Sequence, residues 1–279
     1  MLVEAEMKSV GSIWRKWDLH VHTPASFIWK GGKKLRDQTT TERDDTCRSI
    51  LERMGALDVA AFCIMDYWTF DGFLELRDYF RRNPTAPVKR VFPGIELRLE
   101  APTDYRLNTH VLFDDLVSNE RLGHFLAHLK LGGPQGRPPS RENFIEIAKS
   151  YDPGKLKHHG MTVADRADDE KMFHLGLSTA VVTRESLHQA IEIVGDEHSL
   201  IVQPYDTSDG LEDLDWKRHP YCSHGCRDTP PAVVLRQLAC REDAGGDQQH
   251  ALATLVHAKN LASSPFVRLR DMLFQPVLD

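Results

Sequence analysis

Along the chain as far as Pro204, short apolar runs alternate with stretches whose apolar residues recur at helical spacing, and several runs end on a histidine or a carboxylate. Strand, helix, strand order of this kind constrains the chain to an α/β fold with a mainly parallel sheet, its ligands gathered at the C-terminal strand ends. Residues 14–22 predict the first strand, on which Asp18, His20 and His22 share one face while Trp17, Leu19 and Val21 take the other. Thr23-Pro24 ends it. Residues 59–65 predict a strand buried on both faces that delivers Asp66. Residues 88–99 and 107–113 predict two more, carrying Glu96 and His110, and residues 200–202 another that ends at Gln203-Pro204.

Between these runs, Cys47, Ile50, Leu51 and Met54 predict a helix that begins after Thr40 or Thr41 and stops at Gly55. Phe73, Leu76, Tyr79 and Phe80 predict a second, ended by Asn83-Pro84. Leu122, Phe125, Leu126 and Leu129 predict a third, and residues 140–150 a fourth. Leu187, Ala190, Ile191 and Val194 predict a helix capped by Thr183. Residues 151–182 yield no assignment. Beyond Trp216 the chain turns Cys-, His- and Pro-rich, with short helices expected at 232–240 and 250–262. The expected organisation is an N-terminal extension over 1–13, a domain over 14–215 that carries the strand-borne histidines and carboxylates, and an irregular or helical C-terminal tail over 216–279.

The chain has 279 residues, enough for one large α/β domain with an appendage. No apolar run approaches the ~20 residues that cross a bilayer, and Glu4 and Glu6 stand where a secretory leader would be apolar, so a cytoplasmic protein without membrane association is expected. Five scattered cysteines predict reduced thiols rather than a disulfide framework. A net charge of −6 argues against affinity resting on a broad basic surface. Lys30, Lys33, Lys34 and Arg36 beside Trp29 form a local basic segment, either a phosphate contact or a solvated loop. His219, Cys222, His224 and Cys226, with Cys240 or His250, offer zinc-type ligands, but no matching second half follows, so free thiols are the simpler reading.

Two histidines on one strand, an acid at the end of a second, an acid on a third and a histidine on a fourth make a donor set for divalent ions. Imidazole suits Zn, Mn or Fe, and a carboxylate such as Glu96 can bridge two ions. Hydrolysis of a phosphoester is the chemistry such a centre serves best.

The run Asp18-Leu19-His20-Val21-His22-Thr23-Pro24-Ala25-Ser26 resembles the opening motif of the PHP (polymerase and histidinol phosphatase) superfamily. Ile64-Met65-Asp66-Tyr67 through Phe70-Asp71-Gly72-Phe73 resembles its second motif, Phe92-Pro93-Gly94-Ile95-Glu96 the segment with the bridging glutamate, and Asn108-Thr109-His110-Val111 the segment with a following histidine ligand. The likeness is strongest to PHP domains at the N-terminus of AAA-like ATPase proteins, although this sequence holds no Walker A motif. The resemblance implies a distorted (β/α)7 barrel, complete or incomplete, with His20, His22, Asp66, Glu96 and His110 holding one or two divalent metal ions. It implies a phosphoester substrate, in the widest case a nucleotide or nucleic-acid phosphodiester, with Asp66 and Glu96 in catalytic roles.

Three departures accompany the likeness. Tyr67 stands where the family has a histidine, Gln203-Pro204 where it has His-Pro, and no terminal Asp-x-His follows. Tyr67 is expected to donate a hydrogen bond to a carboxylate or a substrate phosphate oxygen, or else simply to pack on the barrel rim, rather than ligate an ion. The departures leave a second reading, a degenerate binding module for an ATPase partner.

Overall fold

The computed structural model describes residues 16–84, 89–100, 107–132, 136–195, 198–205, 233–239 and 251–254. Strands β1 (Trp17–Val21), β2 (Ala61–Tyr67), β3 (Arg90–Leu99), β4 (Leu107–Phe113), β5 (Ser199–Tyr205), β6 (Val233–Ala239) and β7 (Ala251–Thr254) form one seven-stranded sheet in sequence order. Helices α1 (Thr40–Ala56) and α2 (Asp71–Arg82) separate the first three strands. Helices α3 (Asn119–His128), α4 (Arg141–Lys149), α5 (Pro153–His158), α6 (Asp169–Thr179) and α7 (Arg184–Val194) lie between β4 and β5.

The sheet is mixed rather than mainly parallel. β1 to β2, β2 to β3 and β5 to β6 run parallel, whereas β3 to β4, β4 to β5 and β6 to β7 run antiparallel. The connection from β3 to β4 is shorter than the dozen or so residues a parallel crossover needs, so Leu107–Phe113 must return along its neighbour. Where the segments expected to be helical at 232–240 and 250–262 are described, over Val233–Ala239 and Ala251–Thr254, they are strands: Val233 and Val234 favour extended backbone, and pairing into the sheet overrides the helical preference of Ala251-Leu252-Ala253. A domain boundary at 215/216 would therefore fall between β5 and β6 of one sheet. β7 comes within 8 Å of β1, Cα to Cα.

The two faces of the sheet do different work. Phe62, Ile64, Ile95, Leu97, Val111 and Phe113 pack with Leu51, Phe73, Leu122, Phe125, Leu187 and Ile191 of the helices. Ala61, Cys63, Met65, Phe92, Leu112 and Val202 form a second buried cluster, joined by Trp17, Leu19 and Leu200 and, among the described residues, helix-free. Trp17 stacks on Phe92 at 5.9 Å between ring centroids. By strand alternation the face of this cluster also receives Tyr67, Glu96 and His110, although Tyr67 packs in the first cluster as well.

A bulge brings His20 and His22 to the same face. Asp18 pairs with Phe62 and Val21 with Ile64, so β1 spends three steps where β2 spends two. Trp17 and Leu19 consequently pack in the helix-free cluster while Val21 packs with the helices. The simple alternation expected from sequence, with Trp17, Leu19 and Val21 on one face, is corrected accordingly.

Caps fix where the helices begin. Thr39 and Glu42 close a reciprocal capping box on α1, and Ser118, Ser140, Asp152, Asp168 and Thr183 each accept a backbone N–H at the start of a helix. Helix α6 lies so close to α4 that a Cβ on Gly176 would stand 2.2 Å from the Phe144 carbonyl oxygen, and this seating presents the neighbouring Leu177 carbonyl toward β3. Gly176→Ala is expected to cost about 1–3 kcal/mol. Gly123→Ala in α3, where a Cβ meets nothing within 4 Å, should instead gain about 0.5–1 kcal/mol. Urea unfolding compares the two variants, and an unchanged Gly176→Ala midpoint would mean that α6 is not seated this closely.

Candidate metal centre

Four side chains from three strands and the residue after β1 converge on the helix-free face. His20 Nε2 lies 3.0 Å from His22 Nε2 and 3.1 Å from Glu96 Oε2, and His22 Nε2 lies 3.5 Å from the same oxygen. His110 Nε2 approaches the other oxygen, Glu96 Oε1, at 3.7 Å. Glu96 and His110 face each other in the β3–β4 register, which explains why residues far apart in sequence meet. His20, Glu96 and His110 offer donor atoms within 4.8 Å of one another. His22 joins this group on the His20 side.

The donor set fits a divalent ion. Ligand bonds of about 2.0–2.2 Å place neighbouring ligand atoms of a tetrahedral or octahedral shell roughly 2.8–3.6 Å apart, close to the spacings here. Two imidazole nitrogens 3.0 Å apart repel through their lone pairs unless a proton or cation lies between them. Burial lowers the His22 pKa to about 4, with His20 adding to the effect and Glu96 opposing it, so its ring is neutral and able to ligate near pH 7. Burial would raise the Glu96 carboxyl, but hydrogen bonds and charge from His110 and His20 hold it well below the usual carboxylate range.

Tyr67 reaches a carboxylate of this group. Its hydroxyl donates to Glu96 Oε1 at 2.5 Å, and burial together with the Glu96 charge pushes the phenol pKa upward, so it stays a donor. Its ring stacks on His22 at 5.7 Å and meets Phe27 at 4.9 Å. Two neighbours of this group escaped the sequence reading. Trp68 adopts the left-handed backbone region, with φ of 63°, uncommon for a bulky residue, and its indole N–H donates to the Leu177 carbonyl at 3.0 Å. Arg98 is buried, its guanidinium 5.3 Å from the Tyr67 ring centroid. An arginine two positions after a buried glutamate on one strand was the signal for it.

Asp66 stands apart from the four donors. By alternation it shares the face of Phe62 and Ile64, where its carboxylate accepts from the Thr23 N–H at 2.7 Å and the Thr23 hydroxyl at 2.6 Å. Asp66 Oδ1 is 3.9 Å from the buried His22 Nδ1. Asp66 therefore orients the loop after β1 and faces the back of a donor imidazole. Lys34 completes that loop by donating to the carbonyls of Ser26, Phe27 and Trp29 at 2.8–3.0 Å, and Lys33 pairs with Glu42. Two members of the basic segment are thus engaged within the protein.

His158 and His159 end α5, while Asp165 and Asp168 cap turns and helices. His219, Cys222, His224, Cys226, Cys240 and His250 lie outside the described residues, as do 1–13. Gln203 and Pro204 lie in β5.

No family model matches the chain, and neither does any curated protein. Among solved structures, it is similar to an amidohydrolase from Chromobacterium violaceum with bound sulfate and no metal, at 16% identity and a TM-score of 0.38. That match covers 68% of this chain and 66% of the amidohydrolase, just under two thirds of its length. The chain is also similar to a candidate metal-dependent phosphoesterase from Bifidobacterium adolescentis, at 14% identity and a TM-score of 0.45, over 95% of this chain and 99% of that one.

The Asp66 environment has a consequence for stability. Burial pushes its carboxyl from an ordinary 3.8 up to about 7, against the lowering effect of the Thr23 hydrogen bonds. The native state then binds this proton more readily than the unfolded chain does. Its stabilising contribution is complete below about pH 4 and is lost as pH rises through about 7. Metal-free wild-type protein should accordingly lose up to about 4 kcal/mol relative to Asp66→Asn across that window. Urea unfolding over the pH range reads the difference, and a constant value would count against a buried carboxyl that titrates there.

Proposed function

We propose that this chain is a metal-dependent phosphoesterase whose centre is held by His20, His22, Glu96 and His110. The convergence of these donors on the helix-free face, with spacings of 3.0–3.7 Å, carries the reading. The motifs in which they sit supply the phosphoester class by resemblance to PHP domains. The sequence-order sheet, with β7 approaching β1, supports closure into a barrel of the (β/α)7 type.

An ion held by these residues supplies Lewis acidity toward a phosphoryl oxygen and a water. The protein's own groups have separable tasks. Glu96 provides the anionic donor, and Tyr67 fixes one of its oxygens by hydrogen bonding. His22 presents Nε2 to the centre while Asp66 faces its Nδ1 and holds Thr23. Asp66 is thus assigned an orienting role rather than contact with substrate. The apolar cluster of Cys63, Met65, Phe92 and Leu112 on the same face keeps bulk water from the inner side of the centre. Engagement of Lys33 and Lys34 within the protein favours a small phosphoester over a nucleic-acid strand as substrate.

Elemental analysis of protein purified without chelator, followed by assay of chromogenic phosphomonoesters and phosphodiesters with added Mn, tests the proposal. Bound metal and turnover are expected, both removed by Glu96→Gln. Tyr67→Phe should keep the metal and lower affinity or turnover by about 10–100-fold. Metal-free protein would overturn the reading, and metal-bound protein without turnover would point instead to a binding module.

A further inference from the structure

We propose that Arg98 and Tyr67 together confine this centre to a single divalent ion, with Arg98 a positioning residue rather than a ligand. The inference rests on the metal reading above. Arg98 follows Glu96 by two positions on β3, so both side chains take the same face of the sheet. It is 4% exposed, donates from Nη1 to the Leu177 carbonyl at 3.3 Å, and places its guanidinium over the Tyr67 ring. Trp68 donates to the same carbonyl, which ties the β2 end and Arg98 to one point on α6.

The two oxygens of Glu96 are not equivalent. Oε2 faces His20 and His22 at 3.1 and 3.5 Å, free of any O–H donor among the described residues. Oε1 accepts the Tyr67 hydroxyl at 2.5 Å and is approached by His110 Nε2 at 3.7 Å. A carboxylate that bridges two ions must give one oxygen to each. A second ion at Oε1 would have to displace the phenol and take a position within the field of a buried guanidinium.

Charge points the same way. Arg98 adds a positive charge to the face that carries Glu96, so a second ion would sit beside like charge in a buried setting where screening is weak.

Calorimetric titration of chelator-treated protein with Mn, checked by elemental analysis after desalting, tests the assignment. Wild type is expected to take up about one equivalent. Tyr67→His, which puts an imidazole beside Glu96 Oε1 and His110 but keeps Arg98, should still bind one. Tyr67→His with Arg98→Gln, where the amide can retain a hydrogen bond to the Leu177 carbonyl, should bind two, whereas Tyr67→His with Arg98→Lys should remain at one. Two equivalents in wild type or in Tyr67→His would overturn the proposal, as would a single equivalent in the folded double variant with Gln. The wild-type stoichiometry decides even if a variant fails to fold. No uptake by wild type would remove the metal reading itself, which separates that failure from this one.

Discussion

Burying the Glu96 carboxylate would cost several kcal/mol if nothing returned the hydration it gives up, because a charge in a poorly polarisable interior is strongly disfavoured. The fold returns it with three imidazoles and one phenol, and most features of the sheet can be traced to that need. The β3–β4 pairing sets His110 opposite Glu96, and the parallel β2–β3 pairing sets Tyr67 level with it. The bulge between Asp18 and Val21 rotates the end of β1, so that His20 and, just beyond the strand, His22 face the Glu96 carboxylate.

Separation of the two sheet faces then decides which groups reach the centre. Helices cover the face that carries Ile64, Ile95 and Val111, so apolar packing there anchors the strands without intruding on the donors. On the other face, the cluster around Cys63, Met65 and Leu112 forms a dry floor beneath them. In such surroundings, a hydrogen bond to Glu96 is worth more than it would be in water, and a misplaced one costs more. The short Tyr67–Glu96 bond is therefore a determinant of how the carboxylate is shared, beyond its part in packing.

Much of this was legible in the sequence because periodicity and donor chemistry coincide. Apolar runs located β2 to β5, and His20, His22, Glu96 and His110, which the structure brings together, were named from their strand positions and motifs. What failed did so for identifiable reasons. Alternation cannot register an inserted residue, so the faces of β1 were misassigned until its pairing with β2 was known. The helices within 151–182 were missed although Asp152-Pro153, Thr162 with Asp165, and Asp168 are all start signals, because the apolar stripe between them is short. Strands β6 and β7 were read as helices because their state is set by partners in the sheet rather than by local preference. Arg98 was passed over as the polar half of an amphipathic strand, when the residue beside it in the same pattern was already assigned to the centre.

Asp66, expected among the ligands, is held in this structure by contacts of its own. Its carboxylate is wedged between Thr23 and the first turn of α2, where a Cβ on Gly72 would lie 2.0 Å from the Thr23 hydroxyl and 2.2 Å from Asp66 Oδ2. Glycine at 72 is thus what allows the loop, the helix start and the carboxylate to meet. The arrangement places an acid at a helix N-terminus, whose unpaired N–H groups and dipole favour negative charge and partly offset its burial. Thr23 in turn is the residue after His22, so any displacement of Asp66 is transmitted through one peptide unit to a donor imidazole. The second motif therefore supports the first from behind: its aspartate fixes where the histidine pair ends, and its tyrosine fixes how the glutamate is presented to them.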